Sequence, residues 1–234
     1  QIIYIVMDTL ENQRRVASEK SQGISTLAIY SIFIRQVIDL KLCGDILDFG
    51  AGKGNLTKQL MRLKQFNSIS AVDLFPRPDS LDSNIHWVSR DLNEVTDFSD
   101  QSFDVLVSAE VIEHLENPRA VVREWFRLLR PQGVLLFSTP NNESWRSLLS
   151  LLFQGHFVAF RDTSYPAHIT ALLRKDIERI LQEAGFLLPE FKFTDSGGIP
   201  KLPSMSWQSV SGNLLRGLRY SDNLMVLAKK PKKL

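Results

Sequence analysis

The sequence has very little cysteine and no long apolar run. Cys43 is its only cysteine, so an internal disulfide is excluded, and this composition fits a reducing compartment. No stretch of about 18 consecutive apolar residues is present, which argues against a transmembrane helix. The short apolar segment at residues 2–6 lacks the basic flank and the cleavage site of a signal peptide. We therefore expect a cytoplasmic protein.

An excess of charge of either sign is also absent. The 28 Lys and Arg residues nearly balance the 26 Asp and Glu residues, which argues against a protein built to hold long nucleic acid. No internal repeat or low-complexity linker interrupts the chain, and its apolar fraction of 44% is ample for a core. At 234 residues, these features predict one α/β domain.

The most informative segment is residues 46–56, Ile-Leu-Asp-Phe-Gly-Ala-Gly-Lys-Gly-Asn-Leu. An apolar, strand-like run leads to the acidic residue Asp48, three glycines then alternate with other residues, and a helical pattern begins. Glycines at such a turn let the backbone approach a ligand closely and adopt positive φ. The segment predicts a nucleotide-like cofactor across the first β–α turn of an open sheet.

The spacing of this motif separates three cofactor classes. A phosphate-binding P-loop needs a longer loop and a hydroxyl residue after the lysine, but here Lys53 is followed by Gly54. A dinucleotide-binding turn needs its third glycine one residue later. An acid two residues before the first glycine and an early third glycine resemble motif I of the class I S-adenosylmethionine-dependent methyltransferases. Their cofactor carries a sulfonium and an α-amino group, which suit an acidic strand end.

Two more acids follow in the order that this family shows. Residues 69–73 predict a second strand that ends in Asp73, about 20 residues beyond the glycines, where a carboxylate can accept hydrogen bonds from both ribose hydroxyls. Residues 85–88 predict a third strand shortly before Asp91. The resemblance implies that Asp91 or its neighbour contacts adenine, although Asp is also a favoured helix cap.

The resemblance continues through the next strands. Residues 102–108 predict a buried strand, and residues 118–129 predict an amphipathic helix. The same family typically carries the segment found here at residues 129–141, Leu-Arg-Pro-Gln-Gly-Val-Leu-Leu-Phe-Ser-Thr-Pro-Asn. The resemblance to this family implies a seven-stranded, mostly parallel Rossmann-like α/β sheet with helices on both faces. S-adenosylmethionine would lie across the carboxyl ends of strands one and two.

We predict one methyltransferase domain over residues 1–234, with a helical cap at 1–43, a cofactor-binding core at 44–141, and a last part at 142–234. That last part would hold a lid, the last helix at residues 174–184, which Gly185 ends, an insertion and the final two strands. The cofactor contacts that the resemblance implies are Asp48, Gly50, Ala51, Gly52, Asp73, Leu74, Asp91, Leu92 and Ser108.

A group of acidic and histidine residues follows the fourth strand. Spacings of three and four residues put Glu110, Glu113 and His114 on one face of a helical turn. Glu-x-x-Glu-His resembles the metal-ligand set of the ubiquinone-pathway O-methyltransferases and of the small-RNA 3′-terminal 2′-O-methyltransferases, in which a divalent ion lowers the pKa of the hydroxyl. The small-RNA enzymes add a later histidine, for which His168 is the candidate. Relatives without metal also carry the motif, and the metal-free interpretation is favoured.

These patterns predict methyl transfer from S-adenosylmethionine to a small, hydrophobic or ring-bearing acceptor, on oxygen, as in the ubiquinone-pathway group. Ser108-Ala109-Glu110 stands where methyltransferases of base or amide nitrogen often carry Asn/Asp-Pro-Pro-aromatic. The alternatives are a non-catalytic S-adenosylmethionine-binding protein and transfer to nitrogen or to an RNA 2′-hydroxyl. The predicted catalytic residues are His114, Glu110, Glu113 and His168.

An aromatic and leucine-rich stretch at residues 145–160 predicts a lid over the carboxyl edge of the sheet. With an insertion at residues 196–219 it would enclose a small-molecule or lipid-like acceptor. Peripheral membrane contact stays open, although the stretch carries few basic residues. The oligomeric state is not indicated. The expected aromatic walls are Trp145, Phe153, Phe157, Tyr165 and Trp207.

Overall fold

The computed structural model describes residues 10–21, 23 and 25–232. Its strands are β1 (Gly44–Phe49), β2 (Phe66–Asp73), β3 (His86–Ser89), β4 (Phe103–Ala109), β5 (Leu129–Pro140), β6 (Glu190–Phe193), β7 (Gly198–Ile199), β8 (Leu202–Ser206) and β9 (Asn223–Lys229). Its α-helices are α1 (Leu10–Ser21), α2 (Leu27–Asp39), α3 (Asn55–Leu63), α4 (Pro118–Leu128), α5 (Trp145–Gln154), α6 (Arg174–Ala184) and α7 (Trp207–Val210). Short 3₁₀ turns lie at Ile112–His114, Asp162–Ser164 and Leu218–Tyr220.

Seven strands form one sheet in the order β3-β2-β1-β4-β5-β9-β6, and β7 and β8 form a separate hairpin. Strands β1 to β5 pair in parallel, while β9 is antiparallel to both β5 and β6. The predicted seven-stranded, mostly parallel α/β fold is therefore confirmed. The chain runs outward from β1 to β3 and then returns to β4 on the other side of β1, which creates a crevice at the carboxyl ends of β1 and β4.

The central strands β1 and β4 are mainly apolar because helices cover both faces of the sheet. Successive strand side chains point to opposite faces. Ile46 therefore joins the core beneath α2 and α3, and Leu47 joins the core beneath α4 and α6. Trp125 of α4 is fully buried against Phe49 and Phe137.

Several predicted elements are confirmed, with shifted ends. Helix α4 begins at Pro118 after Asn117, whose side chain accepts a hydrogen bond from the Ala120 amide at 3.1 Å. It ends one residue early because β5 begins at Leu129. Helix α6 has the predicted bounds and is followed by Gly185 in the left-handed conformation. The predicted insertion contains β7, β8 and α7. None of the described helices is long and apolar enough to cross a membrane.

A buried carboxylate fixes the loop between β3 and β4 to α4. Glu124 accepts hydrogen bonds from the Thr96 amide at 2.9 Å and hydroxyl at 2.6 Å, and from Arg127 Nε at 2.8 Å. Burial acts to raise the pKa of Glu124, but the bonds from Arg127 and Thr96 outweigh it and lower that pKa. The ionised carboxylate therefore stabilises the fold above the unfolded-state pKa of Glu124, and this contribution is lost as pH falls.

We expect Glu124→Gln to lower the free energy of unfolding by about 1–3 kcal/mol, because it replaces one of the two accepting oxygens with an NH2 donor and removes the charge that pairs with Arg127. Urea unfolding at neutral pH measures the effect. The matched control is Glu183→Gln, which removes the exposed ion pair with Arg119 and should cost less than about 0.5 kcal/mol. Equal losses in the two variants would contradict a structural role for the buried carboxylate.

Candidate functional site

A cavity of about 440 Å³ lies at the carboxyl ends of β1 to β4. Its floor is formed by the residues at the ends of these strands. The other walls come from α1, α2, residues 165–169 and Asn223 of β9. This is the crevice in which open α/β sheets bind their ligands.

The turn after β1 has no room for side chains at two of its glycines. Gly50 has φ +82°, and a Cβ there would lie 2.3 Å from Cγ2 of Val111. Gly52 has φ +54°, and a Cβ there would lie 2.4 Å from the carbonyl oxygen of Gly23. The Gly50 amide donates to the Val72 carbonyl at 2.8 Å. The backbone of this turn, including Ala51, therefore lines the cavity directly.

Asp48 is a buried acid beneath this turn. Its Oδ2 accepts a hydrogen bond from the Thr57 hydroxyl at 2.6 Å. Burial, with a smaller contribution from the charge of Asp73, raises the pKa of Asp48 to about 7, against the opposing effect of Thr57. The side chain is thus poised between its neutral and charged forms at neutral pH, and a bound cation would favour the carboxylate.

Asp73 ends β2 and connects two turns of the site. Its Oδ2 accepts from the Gly52 amide at 2.8 Å, and its Oδ1 accepts from the Phe75 amide at 3.1 Å. Burial raises the pKa of this carboxyl, while the amide hydrogen bonds act to lower it. Asp73 and Leu74 both line the cavity.

Asp91 lines the cavity and also makes a local turn contact, although no helix begins after it. Its Oδ1 accepts from the Asn93 amide at 2.9 Å, which is a local capping contact. It also lines the cavity, as does Leu92. Its Oδ2 accepts from Arg14 of α1 at 2.9 Å, and Arg14 also forms two hydrogen bonds with Glu116, at 2.9 and 2.8 Å. The sequence analysis missed Arg14, which lies 77 positions before Asp91 and is not marked by any spacing.

Ser108 has a partner within the sheet. Its hydroxyl donates to the carbonyl of Phe49 at 2.8 Å, and its side chain is buried between β1 and β4. It is not among the residues that line the cavity. The hydroxyl therefore holds two strands together, and the cofactor contact predicted at this position stays a prediction.

The expected helical turn from Glu110 to His114 is wrong, because the 3₁₀ turn begins only at Ile112. Glu110 has φ +56°, a conformation that costs free energy in a residue other than glycine. Its amide lies 3.1 Å from the Ser138 hydroxyl, and its Oε2 accepts from Asn223 Nδ2 at 2.6 Å. The sequence analysis also missed Asn223, which follows a segment outside the family motifs.

The carboxyls of Glu110 and Glu113 both line the cavity. Each keeps one oxygen, Oε1, buried without a hydrogen-bond partner among the residues that the structure describes. The Thr139 hydroxyl lies 3.2 Å from Oε2 of Glu113. Burial raises the pKa of both carboxyls, and the proximity of Glu113 raises that of Glu110 further. The pair therefore holds at least one proton at neutral pH.

Two histidines adjoin this acidic pair. His114 Nδ1 lies 2.7 Å from the carbonyl oxygen of Ala167. A carbonyl can only accept, so Nδ1 carries the proton and Nε2 is the basic nitrogen. The rings of His114 and His168 lie edge to face with their centroids 4.8 Å apart. Ligand atoms of Glu113, His114 and His168 all lie within 4.8 Å of one another, and Glu110 is outside this group.

Both histidines are uncharged at neutral pH. Burial lowers the pKa of His114, although the carbonyls of Ala167 and Glu110 act against it. Burial and the neighbouring His114 lower the pKa of His168 to about 4. Nδ1 of His168 is buried without a partner. The arrangement offers neutral nitrogen and carboxyl groups to a ligand.

The expected aromatic walls are only partly present. Tyr165 lines the cavity, together with His168 and Ile169. The other four predicted wall residues are not among its lining residues. Two of them, Trp145 and Phe153, are exposed to solvent, because α5 presents another face to the protein than expected. These four are Trp145, Phe153, Phe157 and Trp207.

The family model of the methyltransferase domain matches residues 15–188. The ubiquinone biosynthesis O-methyltransferase, mitochondrial, of Candida albicans is 29% identical over 181 residues, which cover 71% of this chain and 54% of that protein. The ubiquinone biosynthesis O-methyltransferase of Xanthomonas oryzae pv. oryzae (strain PXO99A) is 28% identical over 159 residues, which cover 61% of this chain and 65% of that protein. The match spans about half to two thirds of these relatives.

Solved structures are similar in fold. A SAM-dependent methyltransferase from Archaeoglobus fulgidus has a TM-score of 0.65 at 18% identity and covers 92% of this chain and 99% of its own. An S-adenosylmethionine-dependent methyltransferase from Mesorhizobium loti has a TM-score of 0.56 at 17% identity, with coverages of 80% and 90%. The family model spans most of the chain, including every acid at the cavity floor. The chain therefore belongs to the methyltransferase-domain family.

Proposed function

We propose that the chain transfers a methyl group from S-adenosylmethionine to an oxygen atom of a small, hydrophobic or ring-bearing acceptor. One observation carries this proposal: the same cavity holds the acids at the ends of three adjoining strands and the uncharged group of Glu113, His114 and His168. The names of the relatives, ubiquinone biosynthesis O-methyltransferases, support an oxygen acceptor. The cytoplasmic location stays a prediction.

The cofactor half of the cavity follows the strand order. Three acids line this half of the cavity, at the carboxyl ends of three strands that are neighbours in the sheet. Asp91 follows β3, Asp73 ends β2 and Asp48 belongs to β1. Asp91 would meet the adenine, Asp73 the ribose hydroxyls, and Asp48 with the Gly50–Gly52 backbone the charged methionine part. When bound, S-adenosylmethionine supplies an electrophilic methyl group for in-line displacement. The protein contributes alignment and exclusion of water.

The acceptor half lies beyond β1, over β4 and β5. Nε2 of His114 is unprotonated at neutral pH and can accept the proton of a hydroxyl that attacks the methyl group. The unpartnered carboxyl oxygens of Glu110 and Glu113 can accept hydrogen bonds from the same acceptor. Tyr165 and Ile169 add an aromatic and an apolar wall, which favour a ring-bearing or hydrophobic molecule over a free sugar.

A metal-assisted version is the second candidate. The close group of Glu113, His114 and His168 fits a divalent cation, because two neutral imidazoles and a carboxyl with an unpartnered oxygen converge there. These three side chains would hold the ion, which lowers the pKa of a bound hydroxyl. Chelation distinguishes the two versions, since the histidine-base version needs no ion.

We expect Asp73→Ala to weaken binding of S-adenosylhomocysteine by about tenfold or more, because a buried acceptor for ligand hydroxyls is lost. Isothermal titration calorimetry measures the affinity. The matched control is Asp82→Ala, which removes an acid that caps the nearby Asn84 amide and does not line the cavity. An unchanged affinity in Asp73→Ala would contradict the proposal that Asp73 binds the cofactor.

The affinity for S-adenosylhomocysteine should fall by up to about tenfold when pH is lowered from about 7.5 to about 6. The physical reason is Asp48: its pKa of about 7 in the free protein means that a proton must leave before the carboxylate pairs with the ligand ammonium. Calorimetry in buffers of different ionisation enthalpy should detect this proton release near pH 7. Asp48→Asn should abolish both the release and the pH dependence; persistence of either would contradict the pairing.

His114→Ala should lower turnover by about a hundredfold or more while leaving cofactor affinity nearly unchanged, because the imidazole acts on the acceptor side. The acceptor is first found by screening phenols, carboxylates, sugars, prenylated quinone precursors and amines for release of S-adenosylhomocysteine. The matched control is His86→Ala on the exposed edge strand β3, which should behave as the parent. Failure of every acceptor class would favour the non-catalytic alternative.

If turnover of His114→Ala stays within about twofold of the parent, and chelation or added divalent metal changes nothing, both versions of the acceptor chemistry fail. Loss of turnover on chelation, restored by metal, would favour the metal-assisted version.

A further inference from the structure

Helix α1 reaches the cavity wall through polar groups. None of its side chains that the structure describes is buried, and its Val16 is 41% exposed. A helix without a buried apolar stripe depends on other contacts for its position. Arg14 lines the cavity, and only 17% of its side chain is exposed. This arginine therefore anchors α1 to the site.

Arg14 joins two loops that follow different strands. Its Nη1 donates to Oδ2 of Asp91 at 2.9 Å. Its Nε and Nη2 donate to the two carboxylate oxygens of Glu116 at 2.9 and 2.8 Å, which is a bidentate pair. Asp91 follows β3, and Glu116 follows the 3₁₀ turn that ends at His114. The Glu116 amide also donates to the Asn93 side chain at 2.8 Å, so the two loops meet beneath the guanidinium.

The same guanidinium balances the charge of a group of acids. Besides Asp91 and Glu116, the carboxylate of Glu94 lies 3.9 Å from Nη1 of Arg14. Carboxylates gathered around one cation repel each other when that cation is removed. Loss of the Arg14 guanidinium would therefore leave Asp91 among like charges and change where its Oδ2 lies.

The carboxylate of Asp91 has little acceptor capacity left. A carboxylate offers about four lone-pair sites. Oδ1 accepts from the Asn93 amide at 2.9 Å and from Asn93 Nδ2 at 3.0 Å, and Oδ2 accepts from Arg14. With these donors from the described part of the chain, about one site remains, on Oδ2 beside the guanidinium. Because Arg14 holds Oδ2, it also sets the direction of this remaining site.

We propose that Arg14 is a positioning residue for the purine base of the cofactor, because it fixes Oδ2 of Asp91 as an acceptor for the exocyclic amino group. This inference rests on the proposed function, in which Asp91 meets the adenine. An amino group can donate to the remaining site, whereas a carbonyl oxygen in its place would meet a carboxylate oxygen, acceptor against acceptor. A fixed carboxylate discriminates between the two bases more strongly than a mobile one, which can turn away or bind water instead.

The test compares two ligands on the same full-chain variant by isothermal titration calorimetry. S-adenosylhomocysteine carries the amino group, and in S-inosylhomocysteine a carbonyl oxygen replaces it. The parent should bind S-adenosylhomocysteine about tenfold or more tightly than S-inosylhomocysteine. Arg14→Gln should reduce this ratio of affinities to about threefold or less. A merely structural role would weaken both ligands alike and leave the ratio unchanged, so the ratio reports on positioning.

The matched control is Arg15→Gln, at the next residue of α1. It removes an exposed ion pair with Glu19, does not line the cavity and should keep the ratio of the parent. Asp91→Ala should lower the ratio by itself. Adding Arg14→Gln to Asp91→Ala should change the ratio no further, because Arg14 acts through Asp91.

Three results would overturn this inference and leave the proposed function intact. They are equal affinities of the parent for the two ligands, a parental ratio in Arg14→Gln, and a further fall of the ratio when Arg14→Gln is added to Asp91→Ala. The last result would mean that Arg14 contacts the base itself. Absence of S-adenosylhomocysteine binding by the parent would contradict the proposed function, and this inference with it.

Discussion

The turn after β1 and the turn after β4 lie in direct contact, and the site depends on this contact. A Cβ at Gly50 would come within 2.3 Å of Cγ2 of Val111, so only glycine allows the two turns to approach this closely. Val111 immediately precedes the 3₁₀ turn that carries Glu113 and His114. The contact therefore joins the glycine turn after β1 to Glu113 and His114, and both parts line one cavity.

Burial then gives that cavity its electrostatic character. It raises the pKa values of Asp48, Glu110 and Glu113 and lowers those of His114 and His168. All five shifts favour neutral forms near neutral pH, so a cluster of titratable groups is held in a small volume without strong mutual repulsion. A cationic ligand would reverse the shift at a carboxyl, which couples its binding to proton release.

The sequence predicted the parts of the fold and site that local patterns encode. Apolar runs that end in Asp48 and Asp73 revealed the strand ends, and Pro118 and Gly185 marked helix limits. Contacts between distant elements were not encoded in this way: Asn223 reaches Glu110 across 113 positions. The bond of the Ser108 hydroxyl to the Phe49 carbonyl was not predicted either, because the apolar pattern does not specify which way a side chain points at the end of β4.

Helix α5 shows most clearly that an apolar sequence pattern does not specify which way the side chains of a helix face. Its leucines and aromatic residues predicted a lid, since apolar residues near a ligand edge are expected to turn inward. The structure differs because the bond from the Val158 amide to the Ser147 hydroxyl and the Arg146–Asp222 ion pair hold the other side of the helix against the rest of the chain. Helix α1 is likewise held near the cavity through Arg14 and two carboxylates. Because such elements attach by polar contacts, their apolar side chains are left for other surfaces, and their sequence can vary without loosening the core beneath the sheet.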